Sequence, residues 1–213
     1  MKKRLLILIL NIAIIILDGY SLITSFIEEG WLTFKYYTHD SNILLFIVCV
    51  IDSLYIIRNK TKDDYAPKYL NVLKLSAVSS VAVTFLVVIV ILAPMWFGEL
   101  GVLKSYQLFL LSGHMLYQHL LCPVIGIISY ILFACDKSLI KKDLLYSLIP
   151  SLIYAVIIVL IVSLGLLEPP YPFLDVLGNP WYMSIMWFVI VLSIIYALHY
   201  MFYKFNQKGI GIR

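Results

Sequence analysis

Six apolar stretches occupy most of this chain, at residues 5 to 27, 37 to 57, 75 to 96, 108 to 134, 144 to 166 and 181 to 203. Each is close to the ~20 residues that cross a ~30 Å hydrocarbon core. Backbone polar groups in hydrocarbon must be satisfied within the segment itself, so stretches of this kind fold as helices. The expected fold class is therefore all-α, an integral membrane bundle of six transmembrane helices. Residues 1 to 213 form one such domain, because the connections are too short to hold a soluble one.

Charge supplies an orientation. Of the 16 Lys and Arg residues, Lys2, Lys3, Arg4, Arg58, Lys60, Lys62, Lys68, Lys74, Lys137, Lys141, Lys142, Lys204, Lys208 and Arg213 fall on one side of the six-span pattern. Lys35 and Lys104 fall on the other. Basic residues in short loops resist translocation, so the bias predicts a multi-pass protein of the cell membrane with both termini cytoplasmic. The Met-Lys-Lys-Arg start precedes a long apolar run without a small-x-small cleavage site, which reads as a retained first span rather than a secretory signal. A chain that is 62% hydrophobic and 13% charged is far from the ~25% charged residues of soluble domains. Its net charge of +4 then reports loops meeting an anionic leaflet. The partner implied is membrane lipid, and nucleic acid is not expected.

Cys49, Cys122 and Cys135 show no CxxC and no paired spacing, which excludes a disulfide framework or a structural zinc site. A b-type haem would need His114 or His119 to meet His199 across a pocket, and their depths disagree. No cofactor or metal is expected. Trp31, Tyr36, Tyr37, Trp96, Tyr171, Trp181 and Tyr182 are placed to form an aromatic belt at the extracytoplasmic interface. Pro94, Pro123 and Pro150 punctuate spans, and the Pro-rich stretch 168 to 180 is an outer connection.

Polar groups inside spans are costly, so they mark where function is to be sought. At about 100° per residue, Thr38, Ser41, Asn42, Leu45, Cys49 and Asp52 share a stripe roughly 80° wide on the second span, while His39 and Asp40 point elsewhere. Asn11, Asp18 and Ser25 share a face of the first span. These two stripes are expected to face a shared interior. On the fourth span His114, Gln118, Cys122 and Ser129 lie within about 80°, and His119 is at the edge of that face. A span beginning near 108 puts His114 and His119 roughly 9 and 17 Å along it, in the leaflet of Thr38, Ser41 and Asn42. A hydroxyl, an imidazole and amide donors at one depth are the ingredients of nucleophilic acyl transfer. The same residue types also serve as interhelical hydrogen-bond partners, and Thr38 can equally cap its helix. Packing suits Asp18 and Asp52, and Asp175 suits fixation of the outer loop.

Phe34-Lys-Tyr-Tyr-Thr38, His119-x-x-x-Pro123 and Tyr171-Pro-Phe-Leu-Asp175, in that order, resemble three markers of the androgen-induced and androgen-dependent transmembrane proteins and their bacterial six-span relatives. The animal members are described as multi-pass threonine hydrolases that cleave fatty-acid esters of hydroxy fatty acids. The resemblance implies Thr38 as nucleophile, His119 as base and a fatty-acid ester as substrate; on the residues alone His114 is the alternative base, because Pro123 distorts the helix after His119. The sequence His39-Asp-Ser-Asn42 after the threonine is closer to the bacterial relatives than to the animal ones. Asn42, Gln118 or backbone amides are the expected oxyanion donors, with Ser41, Asp18, Asp52 and Asp175 as supporting polar groups. A membrane scaffold or sensor, or a small-solute transporter using the stripe from Thr38 to Asp52, is the alternative function.

Overall fold

A computed structural model describes residues 2 to 59 and 66 to 209. Lys60, Lys62 and Arg213, which enter the charge asymmetry, lie outside the described residues. Helix α1 (Lys2–Glu29) tightens into a 3-10 segment (Gly30–Lys35) and is followed by α2 (Tyr37–Arg58). Then come α3 (Lys68–Met95), α4 (Val102–Leu111), α5 (Leu116–Phe133), α6 (Lys141–Ser163) and α7 (Trp181–Lys208). All except α4 are long and apolar enough to cross a membrane, and the described residues contain no strand. The result is the all-α six-helix bundle that the hydropathy predicts. An even number of crossings returns the chain to the face where it started; Thr38 lies at the other face, termed the site end.

Helix α3 is the centre of the bundle, packed against α2, α5, α6 and α7. Of its apolar window 72% is buried, against 17% for α7. The cause is its run of small residues, Ser76, Ala77, Ser79, Ser80 and Ala82, which lets four neighbours approach closely. Their hydroxyls also bond outward. Ser76 Oγ donates to the Ser147 carbonyl at 2.8 Å, and Ser80 Oγ lies 3.3 Å from Ser151 Oγ.

The stretch 108 to 134 is not one helix. Ser112 is extended (φ −92°, ψ 129°) and Gly113 has φ +49°, a conformation that costs glycine little, so the chain reverses there. His119 Nδ1 consequently meets the Phe109 carbonyl at 2.6 Å. In a continuous helix residues ten apart would be separated by ~15 Å. Crossing therefore starts at Leu116, His114 sits on the bend, and the angular relation drawn between the two histidines does not hold.

Pro94 and Pro123 each follow a π-helical turn, Val88–Leu92 and Leu116–Leu121. A proline lacks the N–H and pushes away the carbonyl four residues back. Widening the turn upstream accommodates the ring, and the helix continues. At the face opposite the site end, fully buried Asn206 closes the α5–α6 connection. Its Nδ2 donates to the Ala134 carbonyl (2.8 Å) and Asp136 Oδ1 (3.1 Å), and its Oδ1 accepts the Leu139 N–H at 3.1 Å.

Candidate functional site

Thr38 lies in the first turn of α2, buried, and does not cap the helix: the N-cap is Tyr36, which makes no side-chain cap bond. The Thr38 carbonyl accepts from Ser41 Oγ (3.0 Å) and Asn42 Nδ2 (2.7 Å). Ser41 Oγ also lies 3.0 Å from Thr84 Oγ1 on α3. The second Asn42 amide proton goes to the Gln118 carbonyl at 3.2 Å, and Gln118 Nε2 donates to Ser25 Oγ at 3.3 Å. Ser41, Asn42 and Gln118 thus tie α2 to α3 and α5, and α5 to α1. The expected convergence of the polar stripes of α1 and α2 is present. Both Asn42 amide hydrogens are engaged, however, which leaves this residue no donor for an oxyanion.

A different group shares a cavity with Thr38. The connection after α6 folds inward at Tyr171-Pro-Phe, with Phe173 buried and stacked 5.0 Å from the Tyr171 ring. The Tyr171 side chain lines the same cavity as Thr38, and burial pushes its phenol up to about 12. The sequence reads Tyr171 as an interface aromatic and as the first residue of the third family marker, with no role assigned to it at Thr38. Nothing in its spacing points at Thr38. Asp175 behaves as expected, its Oδ1 accepting the Gly178 N–H at 2.7 Å to hold the loop.

His119 is buried in the first turn of α5. Its Nδ1 contact with a carbonyl requires the proton on Nδ1, so in the neutral ring Nε2 carries the lone pair. No hydrogen bond joins His119 to Thr38. The Asn42–Gln118 bond, one residue from His119, links the helices that carry them. His114 is engaged elsewhere: its carbonyl accepts Ser21 Oγ at 3.1 Å, and its Nδ1 is 3.3 Å from Glu28 Oε2. His39, expected to point away, is buried with its ring centroid 6.2 Å from that of His114.

Asp18 and Asp52 are buried but do not reach this site. Asp18 lies beside Cys122. Asp52 accepts Asn11 Nδ2 (2.9 Å) and pairs with Lys74 Nζ (2.7 Å), some 21 Å along α2 from Thr38 at 1.5 Å per residue. Ile14, Leu45, Val48 and Val81 form an apolar core that parts the two groups. His199 faces carbonyls with both ring nitrogens, Ile195 at 2.8 Å and Ser147 at 3.2 Å. Among the described residues no group of His, Cys, Asp and Glu is placed to hold a metal ion, and the three cysteines are free and buried.

One space adjoins Thr38, and a second lies beside it. A cavity of about 60 Å³ is lined by Thr38, Thr84, Tyr171 and aliphatic side chains of α3, α6 and α7. A groove of about 540 Å³ opens laterally between α2 and α6, with Ser80 of α3 on its wall. Tyr37, Ser151, Tyr154 and Ile158 line both. They form the partition, closed by a 2.6 Å bond between Tyr37 Oη and Ser151 Oγ and a 2.7 Å bond from Tyr154 Oη to the Lys35 carbonyl. No protein-family model, curated protein or solved structure matches the chain.

Proposed function

We propose that this protein is an intramembrane hydrolase of lipid acyl esters, with Thr38 as nucleophile and His119 as base. The observation that carries the proposal is a buried threonine on the wall of an apolar cavity, one partition away from a groove that opens between α2 and α6. An ester chain enters through the groove between α2 and α6, and displacement of Tyr37 or Tyr154 brings its carbonyl to Thr38. Thr38 Oγ attacks the carbonyl carbon while His119 Nε2 takes the hydroxyl proton. The tetrahedral intermediate expels the alcohol, which leaves with that proton. Water then attacks the acyl-threonine, His119 again taking a proton, and the acid departs with Thr38 regenerated. The Thr38–His119 contact forms with substrate in place, as catalytic hydrogen bonds that are long in the free enzyme do. The Tyr171 phenol, rather than Asn42, donates to the developing oxyanion.

The motifs around Thr38, His119 and Tyr171 support membership of the androgen-induced and androgen-dependent hydrolase family. The charge bias supports a cell-membrane protein with both termini cytoplasmic and the site in the extracytoplasmic leaflet. A fluorophosphonate probe on the purified protein tests the chemistry. Labelling that disappears in Thr38→Ala and His119→Ala is expected. Absent labelling, or labelling undiminished in both variants while the protein stays folded, overturns the reading in favour of a scaffold or transporter.

A further inference from the structure

The flank of α2 away from the lateral groove carries a second space. A hollow of about 250 Å³ opens between α1 and α2, walled by Leu22, Ile23, Phe26, Ile27, Phe34 and Ile43. Two polar residues also line it, Thr33 from the 3-10 segment and His39 from α2. Thr33 is 4% exposed and His39 5%. Thr33 Oγ1 and both ring nitrogens of His39 have no hydrogen-bond partner. Leaving such groups buried and unpaired costs about 1–3 kcal/mol each, so partners supplied from outside are the expected resolution.

The surroundings say what kind of partner fits. The walls are aliphatic and aromatic, which suits a hydrocarbon chain. Trp31, in the 3-10 segment and 78% exposed, packs its ring 5.2 Å from that of Phe26 on the wall of the hollow, and exposed tryptophan marks the headgroup level of a bilayer. Immediately beneath that level lie the acyl-ester carbonyls of membrane lipids. A hydroxyl and a neutral imidazole each supply one donor, and one carbonyl oxygen has two lone pairs to receive them. We infer that the hollow is a binding site for a membrane ester lipid, its acyl carbonyl held by Thr33 Oγ1–H and a ring N–H of His39 and its chain lying against α1. This site is separate from the hydrolytic one and stands whether or not Thr38 acts as a nucleophile.

An ester–ether comparison tests it, because an ether lipid keeps the chains and headgroup but lacks the carbonyl. The full-length protein, in the wild-type and Thr38→Ala forms so that turnover is not mistaken for release, is reconstituted with equal amounts of diester and diether phosphatidylcholine. Lipid retained through mild-detergent extraction is then measured by native mass spectrometry. The expected result is at least tenfold preference for the diester in both forms. Thr33→Val and His39→Phe, each with an unchanged helical circular-dichroism spectrum, should each bring that preference close to one. Equal retention of the two lipids by the wild-type protein overturns the assignment. A preference that survives in both substituted proteins overturns it as well. Should either substitution unfold the protein, Thr33→Ser restores the hydroxyl, and loss of preference in that variant counts against the site.

Discussion

Replacing Lys74 with methionine tests the buried pair at the face opposite the site end. Lys74 Nζ lies 2.7 Å from Asp52 Oδ1, with the two side chains 17% and 3% exposed. Charge centres roughly 4 Å apart attract by about 4 kcal/mol at an effective dielectric near 20. Lys74→Met keeps the stem and removes the charge, which strands a carboxylate among Ile14, Val48 and Cys49. Breaking one side of such a pair costs about 3–5 kcal/mol. The Asn11 Nδ2 bond to Asp52 at 2.9 Å persists and retains part of that, so the expected loss is at the low end, about 3 kcal/mol. Asp52→Asn alone should cost about 2 kcal/mol, since the partly exposed lysine can extend toward water. The double variant should cost only about 1 kcal/mol, because an asparagine carbonyl still accepts from Asn11. A coupling energy near 4 kcal/mol follows. Reversible unfolding by SDS added to mild-detergent micelles, followed by circular dichroism, measures all four proteins. A Lys74→Met protein within 1 kcal/mol of wild type, or a double variant less stable than Lys74→Met, refutes the reasoning.

Asn206→Leu removes the three bonds that close the α5–α6 connection. At about 1 kcal/mol each, a loss near 3 kcal/mol is expected in the same assay, with faster tryptic cleavage at Lys137. Tyr171 holds its proton to about pH 12, against 10 for an ordinary phenol, because it is buried. A folded value above the unfolded one means that its contribution is complete below pH 10 and is lost as pH rises to about 12. Wild type should therefore lose stability over that window and Tyr171→Phe should lose less. Parallel pH profiles would count against the buried position of the loop.

The crossings are legible because a bilayer imposes length and apolarity together, and five of the six lie where hydropathy puts them, the fourth starting at Leu116 rather than near 108. The departures have local causes. The span drawn from 108 runs through an apolar sequence that hydropathy cannot divide, and the signal for division is Ser112-Gly113, where a positive φ is admitted. The prolines at 94 and 123 were visible, whereas the π turns preceding them depend on how neighbours hold the displaced carbonyl. A helical wheel placed Thr38, Ser41 and Asn42 correctly but sent His39 outward, because it carries no information about the 3-10 segment and α5 bend that enclose that side. Tyr171 comes to the cavity of Thr38 through the fold of a loop, which no periodicity encodes. The central place of α3 had a readable sign, its cluster of small residues, which a search for costly polar groups passes over.

That central place bears on how the protein is made. Helix α3 is third to leave the ribosome, while three of the four helices that enclose it are still to come. Until α5, α6 and α7 arrive, the hydroxyls of Ser76, Ser79 and Ser80 face lipid or the insertion machinery. A nascent chain halted before residue 141 therefore displays an unclosed serine-lined flank, since Ser147 and Ser151, the partners of Ser76 and Ser80, are not yet made.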